Sequence, residues 1–165
     1  MAKLFVVVST LAILSGCGPR HVGAGNVRIA KDADSRLPKN SVDRIEISKS
    51  NSLMSVFRGK TLLKTYRVAT GSGSGGHKRM EGDKRTPEGE YRIDSRHVSG
   101  DYLRFLHVSY PNARDRKSFR RAKRSGALPK DARIGGAIGI HGEAKGYEGL
   151  SHKTVNWTDG CIAVD

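Results

Sequence analysis

The chain has 165 residues, 36% hydrophobic and 28% charged, which is enough for one domain with a real core plus a short extension and too little for several domains. Thirty Lys and Arg against sixteen Asp and Glu give a formal net charge of +14, a balance that favours acidic partners such as nucleic acid, anionic lipid or an acidic polymer and says nothing about fold. Two cysteines, Cys17 and Cys161, allow at most one intramolecular disulfide.

The first segment bears on the compartment. Lys3 is followed by the apolar run 4–14 (LFVVVSTLAIL) and then Ser15, Gly16 and Cys17, the layout of a charged n-region, an apolar h-region and a small-residue cleavage site. As a helix the run would be about 16 Å long, too short to span a bilayer comfortably. The stretch Leu14-Ser15-Gly16-Cys17 resembles the lipobox of bacterial lipoproteins. That resemblance implies a leader over 1–16, cleavage between Gly16 and Cys17, and diacylglycerol on the Cys17 thiol. An ordinary signal peptide with an incidental cysteine is the plainer alternative. Gly18, where an inner-membrane retention signal would place Asp, directs the expectation to the outer membrane and a periplasm-facing, lipid-anchored protein. An acylated Cys17 would leave Cys161 as an unpaired thiol in an oxidising setting; the competing expectation is a Cys17–Cys161 disulfide.

Residues 17–41 lack a sustained apolar period and read as a flexible tether. From Val42 the pattern changes: Ile45 and Ile47 alternate with charged residues, which predicts a half-buried strand. Residues 51–71 predict a hairpin turning at Arg58-Gly59-Lys60, with Leu62, Tyr66 and Val68 on its return strand. The run GSGSGGHKRMEGDKRTPEGEY (71–91) predicts a long loop, mobile and near substrate. Further strands are expected at Tyr91–Ser95 and Tyr102–Pro111. One helix is expected over 112–126, with Asn112 or Asp115 at its start and Gly126 beyond its end. Residues 137–142 (AIGIHG) predict a short buried strand. The fold expected is mainly β, with one or two helices.

Cys161 begins a second apolar run (CIAV) after Gly160, and His141 ends a strand just before Gly142. If the two strand ends are neighbours, a base and a thiol meet, and backbone N–H groups around Gly160 and Cys161 could face an oxyanion. A core thiol and an unrelated surface histidine fit the same residues. The segment 114–124 (RDRKSFRRAKR) carries seven Lys or Arg; with Phe119 its only aromatic, a basic face near an anionic envelope is the simpler expectation than nucleic-acid binding. No pair among the histidines and Cys161 has a metal-ligand spacing. His152 reads as an exposed loop residue and Trp157 as a core residue beneath the cysteine loop.

His141-Gly142 and Thr158-Asp159-Gly160-Cys161, with sixteen residues between His141 and Thr158, resemble the signature of the L,D-transpeptidase catalytic domain, the YkuD family. Upstream, KSNSLMSVFRGKTLLKTYRVATG, EGDKRTPEGEYRI and VSYPN resemble the family's first hairpin, its Thr-Pro-Glu-Gly loop and its short Gram-negative murein subgroup, so the resemblance covers 42–165. It implies a β-sandwich or barrel-like catalytic domain acting on peptidoglycan stem peptides without a cofactor or metal. Cys161 would be the nucleophile and His141 the general base and acid. The backbone of Gly160 and Asp159 would serve the oxyanion hole, with Thr158 and Gly142 supporting. The acceptor would be a second stem, a protein lysine, or water, the last making a murein L,D-carboxypeptidase or hydrolase. Asp159 stands where well-known members have His, and Ala163 where many have Arg or Asn. A degenerate, non-catalytic wall-binding lipoprotein is the remaining expectation, favoured by Asp159 and by the missing end of the domain and opposed by the retained His141, Gly160 and Cys161. An acidic Asp159 beside the thiol should raise its pKa unless His141 is charged and forms an ion pair with the thiolate. The family continues beyond the CIAV stretch with a helix and a last strand, so a domain truncated at Asp165 is expected.

Overall fold

The computed structural model describes residues 5–9, 28–29, 42–98, 104–142 and 155–164. Its strands are β1 (Phe5–Ser9), β2 (Arg28–Ile29), β3 (Arg44–Ser48), β4 (Leu53–Arg58), β5 (Thr61–Ala69), β6 (Gly89–His97), β7 (Phe105–Val108), β8 (Gly139–His141) and β9 (Ile162–Val164); one helix, α1 (Ala113–Arg124), lies between β7 and β8. The fold is mainly β, as the sequence predicts. The nine strands form one sheet in the order β2-β5-β4-β3-β1-β6-β7-β8-β9, which curls until β9 also pairs with the far end of β5. That last pairing, Val68 with Val164 and Ala69 with Ala163, closes the sheet into a barrel-like shape.

The predicted hairpin is β4–β5, antiparallel, turning at Gly59 with φ +56. Its alternation works as expected: Ile45 and Ile47 of β3 and Met54 and Val56 of β4 point inward. They join Val68, Tyr91, Val108, Tyr110, Ile138, Ile140 and Ile162 in a single buried cluster, so the core runs directly beneath β8 and β9. The Val-rich run Phe5–Ser9, expected as the apolar centre of a leader, pairs in parallel with β3 and antiparallel with β6. β-branched runs have this tendency wherever a sheet offers free backbone groups. Cys17 and almost all of the expected tether lie outside the described residues. Among the described residues no helix is long and apolar enough to cross a membrane.

Helix α1 starts as predicted. Asn112 accepts from the N–H groups of Arg114 and Asp115, and Asp115 returns a bond to the Asn112 N–H, a complete capping box. Asp115 is buried and also binds Tyr91 Oη at 3.2 Å and His77 Nε2 at 3.3 Å. The Glu88 N–H donates to His77 Nδ1, so Nε2 carries the proton offered to Asp115. Helix, loop and sheet are thus tied through one carboxylate.

Candidate active site

β8 and β9 are adjacent and parallel, with Ile140 opposite Ile162 and His141 opposite Ala163. Cys161 precedes β9 by one residue, so its side chain shares a face with Ala163 and therefore with His141. The offset is two residues along the strands and one strand across, about 7 Å by 5 Å between backbones. The structure places His141 and Gly142 at the C-terminal end of β8, while Thr158, Asp159, Gly160 and Cys161 lead into the N-terminal end of its neighbour β9. His152 lies outside the described residues.

His141 is buried, its ring parallel to Phe105 at 6.0 Å and edge-on to Trp157 at 6.2 Å. Trp157 is half-buried against this histidine, consistent with a packing role. The Phe105 ring occupies the space a Cβ would need at Gly139, which is why a glycine stands there. His141 Nδ1 donates to the Gly142 carbonyl at 2.6 Å. A carbonyl only accepts, so the proton sits on Nδ1 and Nε2 carries the lone pair. Burial holds the imidazole below its ordinary pKa, partly offset by the Gly142 bond. Burial thus favours its neutral form.

Among the described residues Cys161 is a free, half-buried thiol; Cys17, its alternative disulfide partner, lies outside them. Burial pushes its pKa up; the Gly139 N–H and the Lys78 ammonium pull the other way, and Asp159 pushes further up, as its charge predicts. Both directions work against a thiolate–imidazolium pair of the kind that would offset Asp159. The Sγ–H faces the Ala137 carbonyl at 3.6 Å.

The turn carrying Cys161 is held by two buried threonines. Thr158 Oγ1 donates to the Cys161 carbonyl at 2.7 Å and accepts the Gly160 N–H at 3.2 Å. Thr86 Oγ1 accepts the Gly71 N–H at 2.8 Å and lies 3.5 Å from the same Cys161 carbonyl. This bears on the expected oxyanion hole. The Gly160 N–H is committed to Thr158, which leaves the Asp159 and Cys161 amides as the candidate donors. Gly160 itself has φ +131, and a Cβ there would stand 2.7 Å from the Arg85 carbonyl. Its glycine is required by conformation and by close packing.

The glycine-rich stretch is a loop, as predicted, but it is pinned rather than mobile. Asp83 accepts from the N–H groups of Arg79, Met80 and Arg85 at 2.6, 3.1 and 3.0 Å and from Lys78 Nζ at 2.8 Å. Burial would raise its carboxyl; Lys78 and the three amides outweigh that and hold it below the usual range. Lys49 ties the loop to β3 through the carbonyls of Gly76 and Thr86 and the carboxylate of Glu88. Gly71 and Gly73 pack against the backbone of Lys84 and Asp83 with no room for side chains. Sequence reasoning missed Lys49, Lys78, Asp83 and Thr86; the one local signal was the Asx-like ability of Asp83 to bond amides two to four residues away.

Lys78 and Asp83 side chains are 3% and 10% exposed, so their pair is costly to break. Asp83→Asn is expected to destabilise the protein by about 3 kcal/mol. Lys78→Met should cost less, since Asp83 keeps its three amide donors. Urea denaturation midpoints of the two variants check the order.

A cavity of about 600 Å³ beside Tyr91, His107 and Asn112 contains neither Cys161 nor His141. The candidate site is defined by the chemistry on β8 and β9, not by this cavity.

A family model described as the L,D-transpeptidase catalytic domain, YkuD, matches residues 42–165. A solved structure from Bdellovibrio bacteriovorus, that of Bd1075, is similar at 22% identity and a TM-score of 0.47. The similarity covers 73% of this chain and 38% of that one, so the chain spans well under half of that protein's length. No curated protein matches the chain. With the family model covering the whole stretch from β3 through the Cys161 turn, the chain belongs to the L,D-transpeptidase catalytic domain (YkuD) family.

Proposed function

We propose that the protein is a cysteine-dependent L,D-transpeptidase that forms a thioester on Cys161 with a peptidoglycan stem peptide. The observation that carries this reading is the fixed tautomer of His141. Its Nδ1 proton is spent on Gly142, and its basic Nε2 belongs to a ring on the same face as the Cys161 thiol. In the proposed reaction Nε2 takes the thiol proton as sulfur bonds to the carbonyl at the L-centre of the diaminoacid. The Asp159 and Cys161 amides stabilise the oxyanion. The C–N bond to the terminal D-residue breaks, and the imidazolium returns its proton to the departing amine. An amine of a second stem, or a protein lysine, then attacks the thioester, releasing Sγ to be reprotonated. Water in that role would make the enzyme an L,D-carboxypeptidase.

The lipid anchor at Cys17 and the envelope location belong to the same proposal. They rest on the lipobox resemblance alone. Processing after Gly16 would remove β1 from between β3 and β6, and the intact mass of the mature protein reads this directly.

The pH profile has a definite sign. Only neutral His141 acts as base, so kcat/KM should rise through a midpoint below the ordinary histidine value of about 6.5. It should stay level until above the ordinary cysteine value of about 8.5. Stability follows the same group. With the folded pKa depressed, the unfolded chain binds the extra proton first, so stability is lost as pH falls from about 6.5 toward the lower folded value. An acid limb centred above 7 would contradict this assignment. Incubation with tetrapeptide muropeptides and mass mapping of products tests the function itself. Cross-linked dimers joined 3-3 support transfer; tripeptides alone mean hydrolysis; unchanged substrate removes the enzyme reading.

A further inference from the structure

The basic helix takes no part in the Cys161 chemistry, and its geometry is more specific than its composition. On the helical wheel Asp115, Phe119 and Ala122 turn toward the body of the protein. Arg114, Lys117, Arg121 and Arg124 recur at i, i+3, i+7 and i+10 along one exposed stripe, and Arg116 and Arg120 form a second beside it. Six exposed cations therefore share one face about 15 Å long. Among the described residues none of them is in an ion pair. The helix has one acid, Asp115, and it is buried beneath the opposite face. Lys123 is already bound to the Ala132 carbonyl and lies over Phe119. Lys130 and Arg133 add exposed cations in the loop that follows, against the single acid Asp131.

A face of like charges with no internal partners is relieved only by external anions. Two features choose among polyanions. No aromatic is exposed on the helix, since Phe119 is half-buried, so the face has no platform for stacking bases. Apart from Ser118, its exposed polar groups are charges alone, without the Asn or Gln that reads base edges. Nor is there an exposed apolar side chain larger than Ala113 to insert between acyl chains. We propose that the exposed face of α1 is a docking surface for anionic phospholipid headgroups, held by charge alone and without insertion. This goes beyond the peptidoglycan chemistry and does not depend on acylation of Cys17.

The test is co-sedimentation of the full chain with vesicles of phosphatidylcholine alone or mixed with phosphatidylglycerol. The neutral vesicles account for any contribution of the apolar run 4–14. Expected is binding that requires the anionic lipid and that salt abolishes. Replacing Arg114, Lys117, Arg121 and Arg124 with Gln should weaken the anion-dependent part by on the order of a hundredfold or more. Lysine at the three arginine positions should retain it. The pair Arg116→Gln and Arg120→Gln should give an intermediate loss, and keeps the test open should the fourfold variant not fold. Equal binding to both vesicle types, unchanged anionic binding in the folded Gln variants, or release of the protein by duplex DNA at equal anion concentration would overturn the proposal.

Discussion

Cys161→Ser is expected to lower stem-peptide turnover by on the order of 10⁴-fold or more while leaving the thermal unfolding midpoint nearly unchanged. The reasons are local. The side chain is half-buried at a strand end, and the turn around it is held by backbone and threonine bonds that do not involve sulfur. A serine hydroxyl is a far weaker nucleophile at the same position, with only a neutral imidazole to activate it. His141→Ala should cost nearly as much, and the double variant scarcely more than either single one, because a base and its nucleophile act as a unit. Steady-state assays on all three, beside their melting curves, separate loss of chemistry from loss of fold. Additive losses in the double variant would mean the two residues do not share a step.

Gly160→Ala should be the most damaging single methyl group near the site. Two costs combine: a backbone at φ +131, where side chains are rarely accommodated, and a Cβ 2.7 Å from the Arg85 carbonyl and 3.1 Å from Ile138 Cδ1. Arg85 cannot retreat easily, since its own N–H is bonded to Asp83. The expected loss is about 3 kcal/mol, a fall in Tm of roughly 6–12 °C for a chain of this size. Turnover should fall about a hundredfold at temperatures where the variant is folded, because a shift of about 1 Å misplaces the thiol. Gly75→Ala, in the same loop system with nothing within 4 Å, should be close to neutral. Calorimetry and turnover on the two alanine variants check the contrast.

The parts of this molecule that were legible in the sequence are those whose signals are local. Alternation announced β3 and the β4–β5 hairpin, Asn112 and Asp115 announced the start of α1, and the His141 and Cys161 motifs fall on or next to two strands that are adjacent and parallel. What stayed hidden is long-range. Lys49 reaches Glu88, and Thr86 reaches the Cys161 carbonyl; no pattern in either segment names its partner. The loop 71–88 has the composition of a mobile segment, yet a single carboxylate, Asp83, gathers three amides and an ammonium and fixes it beneath the cysteine turn. Nor does the sequence announce the bond from the Gly160 amide to the Thr158 hydroxyl. Composition reports what a loop is made of, and the tertiary hydrogen bonds decide whether it moves.

The central claim is that sulfur of Cys161 becomes acylated. The most direct measurement is intact-protein mass spectrometry of the full chain quenched in acid shortly after mixing with a tetrapeptide stem, followed by peptide mapping. The account predicts an adduct with the mass of the tripeptide acyl group, located on Cys161, absent in Cys161→Ser and accumulating faster above pH 6.5 than well below it. Product formation with Cys161 unmodified at every time point, or turnover retained in Cys161→Ala, would contradict it.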